Sequence, residues 1–459
     1  MHHRPGHRVE LLDGGNGGTH LNLINTTDLE QFSVVRSDQD VSLENLNSDV
    51  SISLTDSQSW VDVEYKTGGQ TASAVDVAAT DFDGGLGLWN TGKALDTLNL
   101  DLHGNVYAEL DTDANIKNIT ADGAAQEVEL WGDAQRTAQK IDLSGLTIGE
   151  DGYTKIWLNG NKQDVTYTGT NGDDWVNADA QDLNGNDSFD GGTGGYDGFG
   201  VQFDGPIALG TKGATDIDKG VLAAANASKG FELLDIYFTD GANDGGSLNA
   251  AAFTSVKDFG FADRDDGDLD NDLTVTGVTG DNHFYLYDNV NGTASFTGKA
   301  SLTGETLNLE IRDDVNKLEA HAIATANVDV NNVYLHDDFH IGTLVADKGT
   351  TVVVTGEAET FSLHGVEGTG VTVDVSGFTA NAEKNAAAVS LEDGNGDNSF
   401  ILGASDTTAW GGWGADTFTT GDGKATFVYN DNFDSSFYAD GGTLPATDAF
   451  IGTTVVTEA

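Results

Sequence analysis

The residues best suited to bind an ion in this sequence are aspartates that follow closely spaced glycines. Residues 411–419 (GGWGADTFT) fit the spacing G-G-x-G-x-D-x-U-x, where U is a large apolar residue, and place Gly412 and Gly414 ahead of Asp416. Glycine permits the positive φ of a tight turn and exposes carbonyl oxygens, while aspartate supplies a carboxylate. These are the oxygen ligands that Ca²⁺ prefers. Because calcium takes about 6 to 8 of them, adjacent turns must contribute together.

A denser set of similar sequences occupies residues 169–203. Its aspartates Asp174, Asp187 and Asp197 are 13 and 10 residues apart, so the array is degenerate. Isolated Asp-Gly clusters, such as residues 83–85, are predicted to be ordinary β-turns. In residues 169–199 the glycine, the aspartate and the apolar residue recur in the same order, which favours calcium. The predicted metal ligands are Gly172, Asp174, Gly185, Asp187, Asp190, Gly195, Asp197, Gly412, Gly414, Asp416 and, in a lengthened copy near the C-terminus, Asp440 and Asp448.

The composition excludes several classes of protein. With 75 acidic and 21 basic side chains the formal net charge is -54, which makes nucleic-acid binding very unfavourable. Of the acidic residues 18 are Glu and the remaining 57 are Asp, and abundant Asp with 60 Gly is typical of turns and oxygen-ligand metal sites. The absence of Cys excludes disulfides and Cys-ligated zinc. No apolar run reaches the roughly 20 residues that span a bilayer, so we expect no membrane insertion.

Short stretches of alternating apolar and polar residues predict β-strands of about 4 to 6 residues throughout the chain. A recurring box, apolar-x-apolar-x-x-apolar, is typical of a strand that then turns a corner, although any β-protein can produce such hexamers by chance. It occurs at residues 41–46, 141–146, 248–253, 328–333 and 373–378. The best helix candidates are residues 221–228 and 380–388. The predicted fold is all-β, an elongated parallel β-solenoid (β-helix or β-roll) with calcium-binding Gly-Asp turns.

The nonapeptides resemble those of the RTX family, which comprises calcium-binding β-roll proteins exported by type I secretion with an uncleaved C-terminal signal. The longer intervening stretches, such as residues 231–235 leading to 247–253, resemble surface-layer proteins of Gram-negative bacteria. The resemblance implies Ca²⁺ as the cofactor and an extracellular or cell-surface location. The sequence departs from the family in having few intact repeats, and in Asn282 and Asn398 where the family would have Asp. Those two positions are candidates for turns without metal.

Five segments are expected along the chain. Residues 1–10 are interpreted as a tag or a disordered N-terminus, 11–168 as an N-terminal β-solenoid and 169–204 as a degenerate RTX calcium-binding segment. Residues 205–395 are interpreted as a central β-solenoid, and 396–459 as a C-terminal RTX-like segment and tail.

Motifs for catalysis are scarce, since the sequence lacks H-E-x-x-H, G-x-S-x-G and a P-loop. We therefore expect no enzyme, but a secreted structural protein that self-assembles with calcium into a surface layer, sheath or filament. Its partners would be other copies of itself, with cell-surface polysaccharide as a second candidate. The alternatives are a secreted calcium-dependent adhesin or carbohydrate-binding protein, in which some of the seven Trp stack on sugars, and a polysaccharide-modifying enzyme.

Overall fold

The structure is a computed structural model that describes residues 7–12, 18–24, 26, 29–67, 71–91, 95–239, 244–264, 267–299, 304–331, 338–380, 389–414, 416–423, 425–428 and 455–456. The chain divides into two compact units. Unit 1 comprises Met1–Gln202 and Lys219–Leu234, and unit 2 comprises Phe203–Asp218 and Asp235–Ala459. Each unit is built almost entirely from parallel β-strands.

The strands of the first part of the chain are β1 (His7–Leu12), β2 (Thr19–Asn22), β3 (Leu29–Val35), β4 (Val41–Leu46), β5 (Ser51–Ser57), β6 (Trp60–Tyr65), β7 (Ala74–Trp89), β8 (Thr97–Thr112), β9 (Asn118–Trp131), β10 (Lys140–Trp157), β11 (Thr166–Thr168), β12 (Asp173–Asp179), β13 (Ser188–Asp190) and β14 (Asp197–Phe203). Short 3-10 helices lie at Gln135–Thr137 and Ala180–Asp182.

The strands of the second part are β15 (Ile207–Leu209), β16 (Phe231–Phe238), β17 (Gly246–Asn249), β18 (Asp258–Asp263), β19 (Asp268–Leu269), β20 (Leu273–Val278), β21 (His283–Leu286), β22 (Asn289–Gly298), β23 (Glu305–Ile311), β24 (Val315–His321), β25 (Ile323–Asn331), β26 (Asp338–Ala346), β27 (Thr351–Ala358), β28 (Thr360–Leu363), β29 (Val366–Glu367), β30 (Thr372–Ala380), β31 (Val389–Glu392), β32 (Ser399–Ile401), β33 (Thr407–Trp410), β34 (Thr417–Thr419), β35 (Ala425–Val428) and β36 (Val455–Val456). A 3-10 helix lies at Ala250–Ala252. The described residues contain one α-helix, α1 (Asp216–Ala227), which confirms the helix predicted at residues 221–228.

Each strand pairs in parallel with the strand one turn later, which confirms the predicted parallel β-solenoid, with about 15 turns. The turns differ in length. Phe400 pairs with Phe418, 18 residues on, whereas Val328 pairs with Val354, 26 residues on. The extra residues are accommodated in the corners and loops, so the register of the stacked strands is kept while the spacing of the sequence motifs is not.

The solenoid interior is filled by apolar side chains that stack from turn to turn. In unit 2 the ring centroids of Phe253 and Phe259 are 5.1 Å apart, and Phe259 and Phe284 follow at 5.6 Å. Phe284 then contacts Phe296 at 5.2 Å. All but Phe253 are completely buried. Ring contacts at these distances add to the burial of apolar surface that drives folding.

The predicted box of apolar residues marks a strand followed by a corner. In β4 the side chains of Val41, Leu43 and Leu46 are buried, and Asn45, between the last two, has φ 58°. In β30 the corresponding residues Val373 and Val375 are likewise buried, as is Phe378. The first two apolar residues therefore point inward from one strand, and the third points inward after the bend, as the pattern predicts.

Two local predictions were wrong. Strands β7 to β10 contain 14 to 18 residues rather than 4 to 6, because they continue through corners at residues such as Asp81, which has φ 46°. Residues 83–85 are not a turn, since they lie inside β7. Their glycines are required by close approach: a Cβ on Gly84 would lie 2.2 Å from the Ser59 carbonyl oxygen. The helix predicted at residues 380–388 lies almost entirely outside the described residues.

Candidate metal centre

The predicted ligands between residues 169 and 203 lie at two different corners of the solenoid. Strand β12 pairs with β14, which places Asp174 next to Asp197 on consecutive turns, with the Asp174 N–H donating to Asp197 Oδ1 at 2.8 Å. Gly172 and Gly195 stack in the same way, since a Cβ on Gly195 would lie 2.2 Å from the Gly172 carbonyl oxygen. The structure therefore brings these four residues together, although they are not adjacent copies of the motif.

Asp174 is completely buried and its carboxylate is saturated by protein donors. Oδ1 accepts hydrogen bonds from the hydroxyls of Thr154 and Tyr167, the latter at 2.9 Å. Oδ2 accepts from the Thr170 N–H at 2.8 Å and from the Thr170 hydroxyl at 3.0 Å. Burial nevertheless raises the pKa of Asp174. In this arrangement the Asp174 carboxylate could bind a metal ion only if hydrogen bonds were displaced. The residue therefore fits a structural role in the turn.

Of the remaining ligands predicted in this segment, Gly185 and Asp187 belong to the corner that precedes β13, whereas Asp190 ends β13 and lies at the start of the corner that leads to Asp197. Asp187 accepts the Val165 N–H on Oδ1 at 2.8 Å and the Asn184 N–H on Oδ2 at 2.7 Å. Asp190, at the end of β13, accepts the Gly192 N–H at 3.2 Å. Gly185 lies in the turn between Asn184 and Asp187 and is exposed. These aspartates fix the backbone of the turns in the way that Asx turns do.

Asp197 is the carboxylate of this segment with the most strongly raised pKa. Burial raises the pKa of Asp197 to about 8, and the carboxylates of Asp174, Glu232 and Asp173 add to the effect. Glu232 Oε2 accepts the Asp197 N–H at 2.9 Å, which holds the Glu232 carboxylate close to Asp197. The folded protein therefore retains a proton that the unfolded chain releases near pH 4, so the free energy of unfolding falls as the pH rises from about 4 to about 8.

Replacing Asp197 by Asn is expected to stabilise the calcium-free protein at pH 8 by about 1–2 kcal/mol and to leave it nearly unchanged at pH 5. Asn keeps an oxygen for the Asp174 N–H and removes the charge. The measurement is the melting temperature in chelator across this pH range. The matched control is Asp142→Asn, because Ser144 and then Lys140 lower the pKa of that carboxyl, and its loss should not stabilise the protein at pH 8. Parallel curves for the wild type and Asp197→Asn would contradict the prediction.

The described C-terminal candidates, Gly412, Gly414 and Asp416, lie together on one turn of unit 2. A Cβ on Gly414 would lie 2.1 Å from the Gly396 carbonyl oxygen, and one on Gly412 would lie 2.4 Å from that of Asp393. Gly412 and Gly414 have φ 55° and 144°, which confirms the positive φ predicted for the motif. Asp416 Oδ1 accepts the Asn398 N–H at 2.9 Å. The glycines and the aspartate of the motif thus stack directly on the preceding turn.

Asp393 and Asp416 form the pair of carboxylates that best fits a cation. Each is only 7% exposed. Burial raises the pKa of Asp393, as does the carboxylate of Asp416, and burial likewise raises the pKa of Asp416. Asp416 Oδ2 is buried and has no hydrogen-bond partner among the described residues. Two facing carboxylates with a buried, unpaired oxygen require either a proton or a cation between them.

Asn398 occupies the position at which the motif would have an Asp, and its side chain contacts Asp393. Its side-chain amide donates to Asp393 Oδ1 at 3.0 Å and to Oδ2 at 3.2 Å, and its Oδ1 accepts the Val371 N–H at 2.9 Å. Asn282 similarly accepts the Thr279 N–H on Oδ1 at 2.9 Å. In the described part of the chain no group of three or more His, Asp or Glu side chains is arranged to hold a metal ion. A calcium ion at Asp393 and Asp416 would therefore complete its shell with backbone carbonyls and water.

Sequence reasoning missed Asp393, although a signal for it exists. Residues 394–398 (GNGDN) align with residues 412–416 (GWGAD) at a spacing of 18, which is one turn of the solenoid at this point. Asp393 directly precedes the first of these copies. The predicted ligands Asp440 and Asp448 lie outside the described residues.

Comparison with known proteins found no relative of the chain. No family model, no curated protein and no solved structure matches the chain. Among the described residues no helix is long and apolar enough to cross a membrane.

Proposed function

We propose that this chain is a secreted structural protein that assembles with copies of itself, in a calcium-dependent way, outside the bacterial cell. The observation that carries the proposal is the edge of β1 and β2 in unit 1, which no described strand covers on its second side. Among the described residues, β1 pairs only with β3, and β2 pairs only with β4. A parallel strand edge of this kind is a template for a further strand. Two exposed apolar side chains lie at the same edge, Leu12 at 57% and Ile24 at 47% exposure.

Charge makes the assembly depend on cations. Each copy carries a formal net charge of -54, so copies repel one another unless cations are bound or screen them. Calcium held by Asp393 and Asp416 would neutralise two buried carboxylates in each copy. A site with two carboxylates and otherwise neutral ligands binds calcium weakly, as in extracellular modules with dissociation constants of about 0.1–1 mM. Such a site suits the extracellular or cell-surface location of the proposal, as a layer, sheath or filament.

The test is negative-stain electron microscopy of the purified full chain with millimolar calcium, with millimolar magnesium, and with chelator. We expect ordered sheets, tubes or fibres with calcium only. The double variant Leu12→Lys/Ile24→Lys places charges at this edge and should prevent them. Ile217→Lys is the control, because Ile217 is a comparably exposed apolar residue, at 45%, on α1. Monodisperse particles under all three conditions would refute assembly, and ordered arrays of the double variant would refute the role of this edge.

A further inference from the structure

Tryptophan is concentrated on the outside of unit 1. Five of the seven Trp in the sequence are Trp60, Trp89, Trp131, Trp157 and Trp175. All five are half-buried and none belongs to the solenoid core. Large aromatic side chains on a solvent-facing sheet contribute little to the interior, so each needs another physical explanation.

Three of these five indoles are explained by packing on glycine. A Cβ on Gly85 would lie 2.0 Å from Trp60, which is its partner across the strand pair, and a Cβ on Gly198 would lie 2.2 Å from Trp175. A Cβ on Gly87 would likewise lie 2.5 Å from Nε1 of Trp89. These rings therefore cover backbone that carries no side chain. None of the described glycines has Trp131 or Trp157 among its nearest atoms, so these two rings are not accounted for in this way.

Trp131 and Trp157 instead line an open cleft of about 560 Å³ across strands β8, β9 and β10. Their ring centroids are 6.1 Å apart and their planes are inclined by 79°. The remaining lining residues are Glu109, Asp111, Glu129, Gly132, Asp133, Arg136 and Asn159. A cleft of this volume, with two aromatic rings and several convergent polar groups, is within the range of small-ligand sites.

The chemistry of the cleft favours a neutral ligand rich in hydroxyl groups. Four carboxylates and one guanidinium line it, so an anionic ligand is repelled. A cation already contacts the aromatic pair, since Lys155 Nζ lies 4.7 Å from the centre of the Trp157 ring. Carboxylates accept strong hydrogen bonds from hydroxyl groups, and the ion pair between Arg136 and Asp133 adds a fixed donor.

A peptide strand is a poorer fit for the same place. Strand β9 pairs with β8 on one side and β10 on the other, so it has no free backbone edge for strand addition. Recognition must therefore come from side chains that project from the sheet. Indole rings can stack on the apolar C–H face of a pyranose ring while carboxylates bind its hydroxyls.

We propose that the cleft between Trp131 and Trp157 is a binding site for a neutral glycan, with a pyranose ring stacked on one of the two indoles and its hydroxyls bound by the carboxylates and Arg136. This site does not depend on the proposed assembly, and its residues belong to unit 1, whereas Asp393 and Asp416 belong to unit 2. It gives the chain a means of attachment to a polysaccharide surface.

The test is isothermal titration of the full chain, in chelator so that it stays unassembled, with neutral hexasaccharides of glucose, mannose and galactose and with galacturonate hexasaccharide. We expect at least one neutral hexasaccharide to bind and galacturonate hexasaccharide to bind at least about tenfold more weakly. Trp131→Thr should raise the dissociation constant at least about tenfold, whereas Trp175→Thr should change it less than about twofold. Circular dichroism confirms that each variant is folded.

Arg136→Ala provides a second variant, because the Arg136 side chain is 58% exposed and its removal does not touch the core. It should weaken binding severalfold with the melting temperature unchanged. The proposal is refuted if no neutral hexasaccharide binds, if galacturonate hexasaccharide binds more tightly, or if neither Trp131→Thr nor Arg136→Ala weakens binding.

Discussion

Calcium added to the chelated protein is expected to raise the free energy of unfolding by about 3 kcal/mol when its concentration is about 100 times the dissociation constant of the site. The physical reason is the pair Asp393 and Asp416, two buried carboxylates that need either a proton or a cation between them. The measurement is the melting temperature of the wild type against calcium concentration, with magnesium as the comparison ion. Magnesium should have a much smaller effect, because it demands near-octahedral geometry and gives up its water reluctantly.

The order of stability of the wild type and the variant Asp416→Asn should reverse when calcium is added. Asn keeps an oxygen for the Asn398 N–H, so in chelator the variant is at least as stable as the wild type, having lost one buried carboxylate. With calcium it should be the less stable of the two, because a ligand charge is missing. A residue with a merely structural role would change stability equally in both conditions.

Asp174→Asn is the matched control for this experiment. Asp174 is buried even more completely than Asp416, but protein donors occupy both of its oxygens. Its replacement should lower the free energy of unfolding by a similar amount with and without calcium. The gain in stability on adding calcium should therefore stay the same. The assignment of the ion to Asp393 and Asp416 would be contradicted if calcium stabilised Asp416→Asn as much as the wild type, or if it no longer stabilised Asp174→Asn.

Gly192→Ala is expected to destabilise the protein by about 3 kcal/mol or more. Gly192 has φ 100°, and a Cβ there would lie 2.0 Å from the Thr170 carbonyl oxygen of the preceding turn. The substitution therefore combines backbone strain of about 1–3 kcal/mol with a clash that only separation of the two turns can relieve. Urea denaturation followed by circular dichroism measures the effect.

Two other glycines separate these contributions. Gly194 has φ 118°, but a Cβ there would lie 3.1 Å from its nearest atom, so Gly194→Ala tests the strain with little clash and should be destabilising by about 1–3 kcal/mol. Gly205 has no heavy atom within 4 Å of a Cβ position, and Gly205→Ala should change stability by less than about 0.5 kcal/mol. Equal effects at Gly192 and Gly194 would show that turn-to-turn contact is not what requires glycine at position 192.

The apolar pattern predicted the fold because a solenoid repeats a local rule. Val41, Leu43 and Leu46 point inward in the alternation that any strand imposes, and the residues between the second and third mark the corner. Strand lengths were predicted less well, since a chain that bends at a left-handed residue such as Asp81 can still pair through the bend. Periodicity alone does not distinguish such a corner from a turn that ends the strand.

The sequence by itself determined the parallel β-solenoid, the helix near residue 221 and the glycines of positive φ at positions 412 and 414. Only the tertiary structure decided which acidic residues meet. Asp174 lies beside Asp197 rather than Asp187, and Asp416 faces Asp393, because turns of unequal length are brought into register by their buried strands. The number of residues in each corner is not encoded in the motif spacing. The partners of a carboxylate one turn away are therefore fixed by strand register, which is set by packing of the core.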